Sequence, residues 1–199
     1  PFIVQLYEVT KRAFIAYWRN PLYIYTKLML NFVSGLGVGS SFYKEGEKNY
    51  YIALQNRLFA SFMALVSATS LSQHLQPEFI RFRGLFEVRE KPSKMYTWPV
   101  MVLSALIVEI PWNLFGGTTY WLPWYYLIHF PTDNKHAGYS WGLYMLFQIY
   151  YCTFAQAMAA VSPNAMIASI LFSTFFSFVV VFCGVVQPPN QMPYFWRSW

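Results

Sequence analysis

Between residues 76 and 98 the chain reads QPEFIRFRGLFEVREKPSKMYTW, and membrane-length apolar stretches run on both sides of it. This island gathers Arg81, Arg83, Arg89, Lys91 and Lys94 with Glu78, Glu87 and Glu90. The whole chain has only 14 Lys+Arg and 8 Asp+Glu, so much of its charge is concentrated here. A spanning helix needs about 20 mainly apolar residues, and backbone in hydrocarbon must satisfy its own hydrogen bonds. The fold class is therefore all-α and integral to the membrane, a polytopic helical bundle. The island has to lie in water, against headgroups or against a soluble partner.

Composition agrees. Charged residues make up 11% of the 199, less than half of the roughly 25% usual in soluble domains. The net charge of +6 does not point to nucleic acid, because the basic residues flank apolar runs instead of forming one soluble face. Cys152 and Cys183 both fall inside apolar runs and read as packing residues. The chain begins at Pro1 without a signal pattern and ends in an aromatic, loop-like stretch, so it reads as a piece of a longer protein.

Taken in order, residues 1–20 carry apolar residues at helical spacing, with Lys11, Arg12 and Arg19 on another face. This is the pattern of an interfacial amphipathic helix. A first span is expected at 22–43, with Lys27 snorkelling to the interface and a Gly35/Gly39 pair of ordinary packing type. A second span at 52–75 carries Ser61, Ala64, Ser67, Ala68, Ser70 and Ser72. Spacing alone favours a packing face there, with a mildly polar cavity wall as the alternative. The island at 76–96 follows. Glu109 is costly at mid-bilayer, so it is placed near the membrane boundary, with 97–108 starting in the interface and 110–130 crossing. Glu109 and the prolines Pro99, Pro111 and Pro123 are expected to subdivide this stretch, and Gly116 and Gly117 to loosen it. Spans at 139–161 and 165–186 follow, joined by a tight turn at Ser162, Pro163 and Asn164. Basic residues gather on the island side, which makes that side cytoplasmic.

Phosphate-loop, zinc-protease, CxxC and nucleophile-elbow patterns are missing from the sequence. His74, His129 and His136 lack partners at metal spacing, and no carboxylates pair within a span. The segment shows no catalytic and no metal-binding residues, so any energy source must lie elsewhere.

Several longer segments are specific. YWRNPLY at 17–23, LQNRLFASFM at 54–63, the island itself and VEIPWNLFGG at 108–117 resemble ABC exporters of the G type. YYCTFAQAMAAVSPNA at 150–165 and FCGVVQPPNQMPYFWRSW at 182–199 do so as well, most narrowly the second transmembrane domain of fungal pleiotropic drug resistance transporters. The resemblance implies the ABC-2/G-type exporter fold, with five of its six spans present and 187–199 as the start of an outer loop. It makes 1–20 a connecting helix and 76–96 a cytoplasmic coupling segment, in which Phe79, Arg83, Glu87, Arg89 and Glu90 would meet nucleotide-binding domains. It also implies a drug cavity lined here by Phe62, Val66, Ser67 and Ser70, and by Thr174, Ser177 and Val180. ATP and Mg would be held by nucleotide-binding domains outside this segment, which would carry no cofactor itself. The partners would be those domains, the other transmembrane half, the lipid bilayer and hydrophobic small-molecule substrates, in a multi-pass plasma-membrane pump. The alternatives are a non-ABC channel or carrier, which needs pore-facing charge or broken helices, and a non-transporting membrane scaffold.

Overall fold

The computed structural model describes residues 1–48, 50–183, 185 and 195. Among these the elements are helical: α1 (Phe2–Trp18), α2 (Pro21–Ser41), α3 (Tyr51–Val66), α4 (Ala68–Leu85), α5 (Trp98–Ile128), α6 (Asn134–Val161) and α7 (Ala165–Phe182). A wider π-helical turn, Phe86–Glu90, extends α4. All but Phe195 of the expected outer-loop stretch 187–199 lies outside the described residues.

Three helical runs among the described residues are long and apolar enough to cross a membrane: Tyr51–Glu90, Trp98–Ile128 and Ala165–Phe182. The first spans 40 residues and the second 31. At 1.5 Å per residue they are about 60 and 46 Å long, well beyond the roughly 30 Å hydrocarbon core. Both must project past it. α2 and α6 carry more polar side chains and flank α5.

Helix α5 stays whole where the sequence suggested division. Pro111 and Pro123 sit inside it without ending it, as neighbouring helices in a membrane bundle permit. Gly116 and Gly117 do not loosen it either, because both are contact points. A Cβ on Gly117 would fall 2.8 Å from Met145 Cε, and one on Gly116 would fall 3.0 Å from Asn31 Nδ2. On α2 the spacing of Gly35 and Gly39 proves to be a true close approach. A Cβ at Gly35 would lie 2.5 Å from the Tyr120 carbonyl oxygen, and one at Gly39 would lie 2.8 Å from that of Pro123.

The helix that carries the second span likewise does not stop at residue 75. It breaks for a single turn residue, Ser67, then continues through Pro77 to Leu85 and the π-turn. Residues 76–90 of the island thus extend that helix, and 91–97 turn the chain into α5.

Two cores hold the membrane portion. Ala60, Ala64, Tyr120, Trp124, Ile128, Tyr144 and Met145 pack towards the end opposite the island. Leu71, Leu75, Tyr151, Cys152, Ala155, Phe172 and Phe176 join α4, α6 and α7. At that opposite end, Gly46 N–H donates to the Ile128 carbonyl at 2.7 Å, and a side chain at Gly46 would collide with His129. Arg57 secures the same loop by donating to the carbonyls of Glu45, Gly46 and Lys48.

Candidate functional site

The candidate residues fall in two places: the island end of α4, and the open faces of α3 and α7. Both rest on a scaffold that the sequence reading placed differently. Lys27 does not snorkel. Its Nζ donates to Glu109 Oε2 at 2.7 Å, and Tyr23 Oη donates to Oε1 of the same carboxylate at 2.7 Å. Glu109 is fully buried and Lys27 only 6% exposed. Glu109 therefore ends no helix. It sits within α5, and its cost is offset by an ion pair and a hydrogen bond from α2. Two opposite charges inside separate apolar runs were the available signal, since ionisable groups in spans are found paired.

The amphipathic segment forms α1 and buries Val9, Ala13 and Tyr17 at intervals of four. That stripe packs on Val100, Met101, Val108 and Trp112 of α5 and on Phe86 and Tyr96. Phe2, Ile3, Val4, Tyr7, Phe14, Ile15 and Trp18 stay exposed, as suits contact with lipid. An ion pair ties α1 to the island: Arg12 Nη1 lies 2.6 Å from Glu90 Oε1, and Tyr96 Oη donates to the other oxygen. Burial pushes the Glu90 carboxyl up, but hydrogen bonds from Arg12 and Tyr96 bring it below the usual carboxylate range. The Tyr96 phenol is pushed up to about 12, first by burial and then by Glu90.

The five island residues divide by direction. Glu87 and Arg89 are exposed, either side of Val88 at 82%. Glu90 and Phe79 are buried and Arg83 is half-buried. Phe79 packs among Ala105, Ala159 and Ala168. Arg83 Nη1 donates at 2.9 Å to the carbonyls of both Ala159 and Ala160, at the end of α6. Its Nε is 3.6 Å from Glu87 Oε1. A soluble partner approaching this end would meet Glu87, Val88 and Arg89 directly. Phe79, Arg83 and Glu90 would act only through what they hold.

The seven candidate lining residues divide too. Phe62, Val66, Ser67 and Ser70 are half-buried on α3 and α4, around the Ser67 break. Thr174 and Ser177 face an open groove along α7 with Phe178, Val181 and Phe182. Val180 turns the other way and packs against the core of α4, α6 and α7. The hydroxyls are occupied within their own helices: Ser177 Oγ donates to Ser173 O at 2.8 Å and Thr174 Oγ1 to Ile170 O at 2.9 Å. Ser67 Oγ bonds Ala64 O at 2.7 Å. The α7 groove thus offers apolar surface and few free polar partners, which favours adaptable contacts over fixed ones.

Among the described residues no cluster of His, Cys, Asp or Glu is placed to hold a metal ion. The residues that carry the most structural information here, Gln76, Lys27 and the Arg12–Glu90 pair, were not singled out together by sequence. Their roles depend on partners about 80 or more positions away.

A family profile described as ABC-2 type transporter matches residues 4–199. The Brefeldin A resistance protein of Schizosaccharomyces pombe is 47% identical over 201 residues, covering 99% of this chain and 13% of that protein. An ABC multidrug transporter, MDR1, of Trichophyton interdigitale is 42% identical over 202 residues, covering 99% of this chain and 12% of its own length. The ABC multidrug transporter atrG of Aspergillus oryzae is 37% identical over 203 residues, with 98% and 14% covered. The chain spans about one-eighth of the length of these relatives.

Proposed function

The chain belongs to the ABC-2 type transporter family, and from that premise we propose that it is the membrane part of an ATP-driven multidrug exporter in the plasma membrane. The observation that carries this reading is α7, an apolar helix whose outer face leaves Thr174 and Ser177 open beside Phe178 and Val181. That face would take amphipathic or hydrophobic compounds, with Phe62, Val66, Ser67 and Ser70 completing the wall. α2, α3 with α4, α5, α6 and α7 would be the five spans, with the island end in the cytoplasm.

ATP and Mg would bind to nucleotide-binding domains elsewhere in the pump. Their closure would push on the exposed tip formed by Glu87, Val88 and Arg89, and the push would reshape the cavity as a rigid-body shift. Opposite charges at such a tip set register and partner choice. Glu87→Arg or Arg89→Glu in the full-length transporter should therefore leave membrane insertion intact while separating ATP hydrolysis from efflux. Full efflux in both variants would remove the tip from the mechanism.

The groove is tested by Ser177→Phe. The side chain is exposed, so the ring has room, and surface expression should hold. Resistance across compounds of graded size should fall for the large ones and persist for the small ones. Loss of the protein itself, or a uniform loss across the panel, would place Ser177 at a packing interface and end the cavity reading for α7.

A further inference from the structure

The island half of α4 presents one side of its helix, Gln76, Phe79 and Arg83, to the corner where α6 ends and α7 begins. Three different contacts meet there. Gln76, fully buried, donates from Nε2 to the Ala168 carbonyl of α7 at 3.2 Å. Phe79 fills the space left by Ala159 of α6 and Ala168 of α7, both fully buried. Arg83 donates to the Ala159 and Ala160 carbonyls. The last four carbonyls of a helix have no partner within it. At the end of α6, Ser162 Oγ takes Met158 O at 2.7 Å, and Arg83 takes the next two. The capping cation of α6 therefore comes from another helix, and it suits the negative end of the helix dipole. Asn164 Oδ1 then caps the start of α7, accepting from Ile167 N–H at 3.0 Å.

We infer that Gln76 and Arg83 are positioning residues that lock α4 to the α6–α7 corner, so that a push on the tip at Glu87–Arg89 reaches α7 and its open groove as one rigid-body movement. This rests on the proposed function for what the movement accomplishes. The lock itself stands on contacts within the chain. Arg83 also reaches Glu87 of the tip at 3.6 Å, so the chain of contacts from exposed charge to α7 has no gap. Sequence spacing gave no hint of it, since every acceptor is a backbone carbonyl 76 or more positions away.

The test uses the full-length transporter with spin labels at two exposed positions, Leu85 at the end of α4 beside the tip and Met166 on α7. The distance between them should be the same in the nucleotide-free and the vanadate-trapped states. A distance that changes between those states in the labelled protein with Gln76 and Arg83 in place overturns the inference. Arg83→Ala should broaden the distribution and lower efflux per surface transporter about tenfold, the scale of a lost hydrogen bond to a charged group, and Gln76→Leu about threefold, the scale of a neutral one, while ATP hydrolysis in both stays near that of the native protein. Arg83→Lys, which keeps one charged donor, should recover part of that efflux. Equal efflux and an unchanged distance distribution in Arg83→Ala and Gln76→Leu would show that the corner needs no lock. Failure of the wider reading looks different: the Glu87 and Arg89 variants would then transport normally while the two labels still moved together.

Discussion

Helices α5 and α7 are both apolar enough to cross a membrane, yet they occupy opposite surroundings. Of the most apolar stretch of α5, 56% is buried against protein; for α7, the more apolar helix of the two, the share is 17%. In water the more hydrophobic helix would be the inner one. In lipid the tails are as apolar as leucine, so hydrophobicity gives no drive inward, and close packing and polar satisfaction decide instead. α5 brings inward Ser104, Glu109, Asn113, Gly116 and Gly117. α7 buries only Ala168, Phe172 and Phe176 along one narrow stripe. The interior of this bundle is where its polar groups find partners.

The buried charge of Glu109 carries the greatest expected effect on how α5 is held. Glu109→Ala leaves Lys27 buried without its carboxylate, and Lys27→Ala does the reverse. Breaking a buried pair costs about 3–5 kcal/mol. Each single variant should be lost from the membrane or melt far earlier in detergent, whereas Lys27→Met with Glu109→Gln should be much milder. If the single variants were as stable as the double, α5 would not be placed by its polar groups.

The close approach of α2 to α5 carries the next effect. Gly35→Ala sets a methyl 2.5 Å from the Tyr120 carbonyl, while Gly37, two residues along, has nothing within 4 Å. Overpacking of this kind costs about 1–3 kcal/mol, and the same change at Gly37 should be neutral or stabilising by up to about 1 kcal/mol. Thermal unfolding of the two variants side by side measures the difference. Equal behaviour would mean that α2 and α5 approach less closely than this.

A smaller, pH-dependent effect belongs to α1, which has one face packed on protein and the other exposed. Glu90 is held below its ordinary range in the folded chain. Its contribution is therefore complete above the unfolded glutamate value of about 4.3 and is lost as the pH falls through the lower folded value. Protection of α1 amides against hydrogen exchange, corrected for intrinsic rates, should decline in that acidic window and not above it. Glu90→Gln should remove the dependence. An equal decline in that variant would assign it to other carboxylates.

The smallest effect is expected on α7. Ile170 is 58% exposed, and Ile170→Leu should shift stability by no more than about 0.5 kcal/mol. A melting shift as large as that of Gly35→Ala would mean that the outer face of α7 packs against protein already within this chain.

Helix periods, turn residues and apolar length decided that the chain is an all-helical membrane bundle, and they placed α1 and the Ser162–Asn164 turn closely, whereas α6 begins at Asn134, inside the stretch read as a loop before a span at 139–161. Those signals are local: backbone hydrogen bonds within hydrocarbon must close inside the helix itself, so a run of residues declares its own state. The same rule misjudged Pro111, Pro123, Gly116 and Gly117, which read locally as breakers. Inside the bundle the prolines are carried by neighbouring helices, and the glycines meet Met145 and Asn31. The quoted segments also placed the candidate residues at the island and along α7, but not their directions. That Glu87 and Arg89 point outward while Phe79, Arg83 and Glu90 turn inward depends on α1, α6 and α7 coming to pack against α4. The helices, their apolar character and the places where charge is concentrated follow from neighbours along the chain and can be read there. That Lys27 meets Glu109, that Arg83 caps α6 and that α7 keeps an open face emerges with packing, because each requires residues distant in sequence to satisfy one another in a medium that offers few other partners.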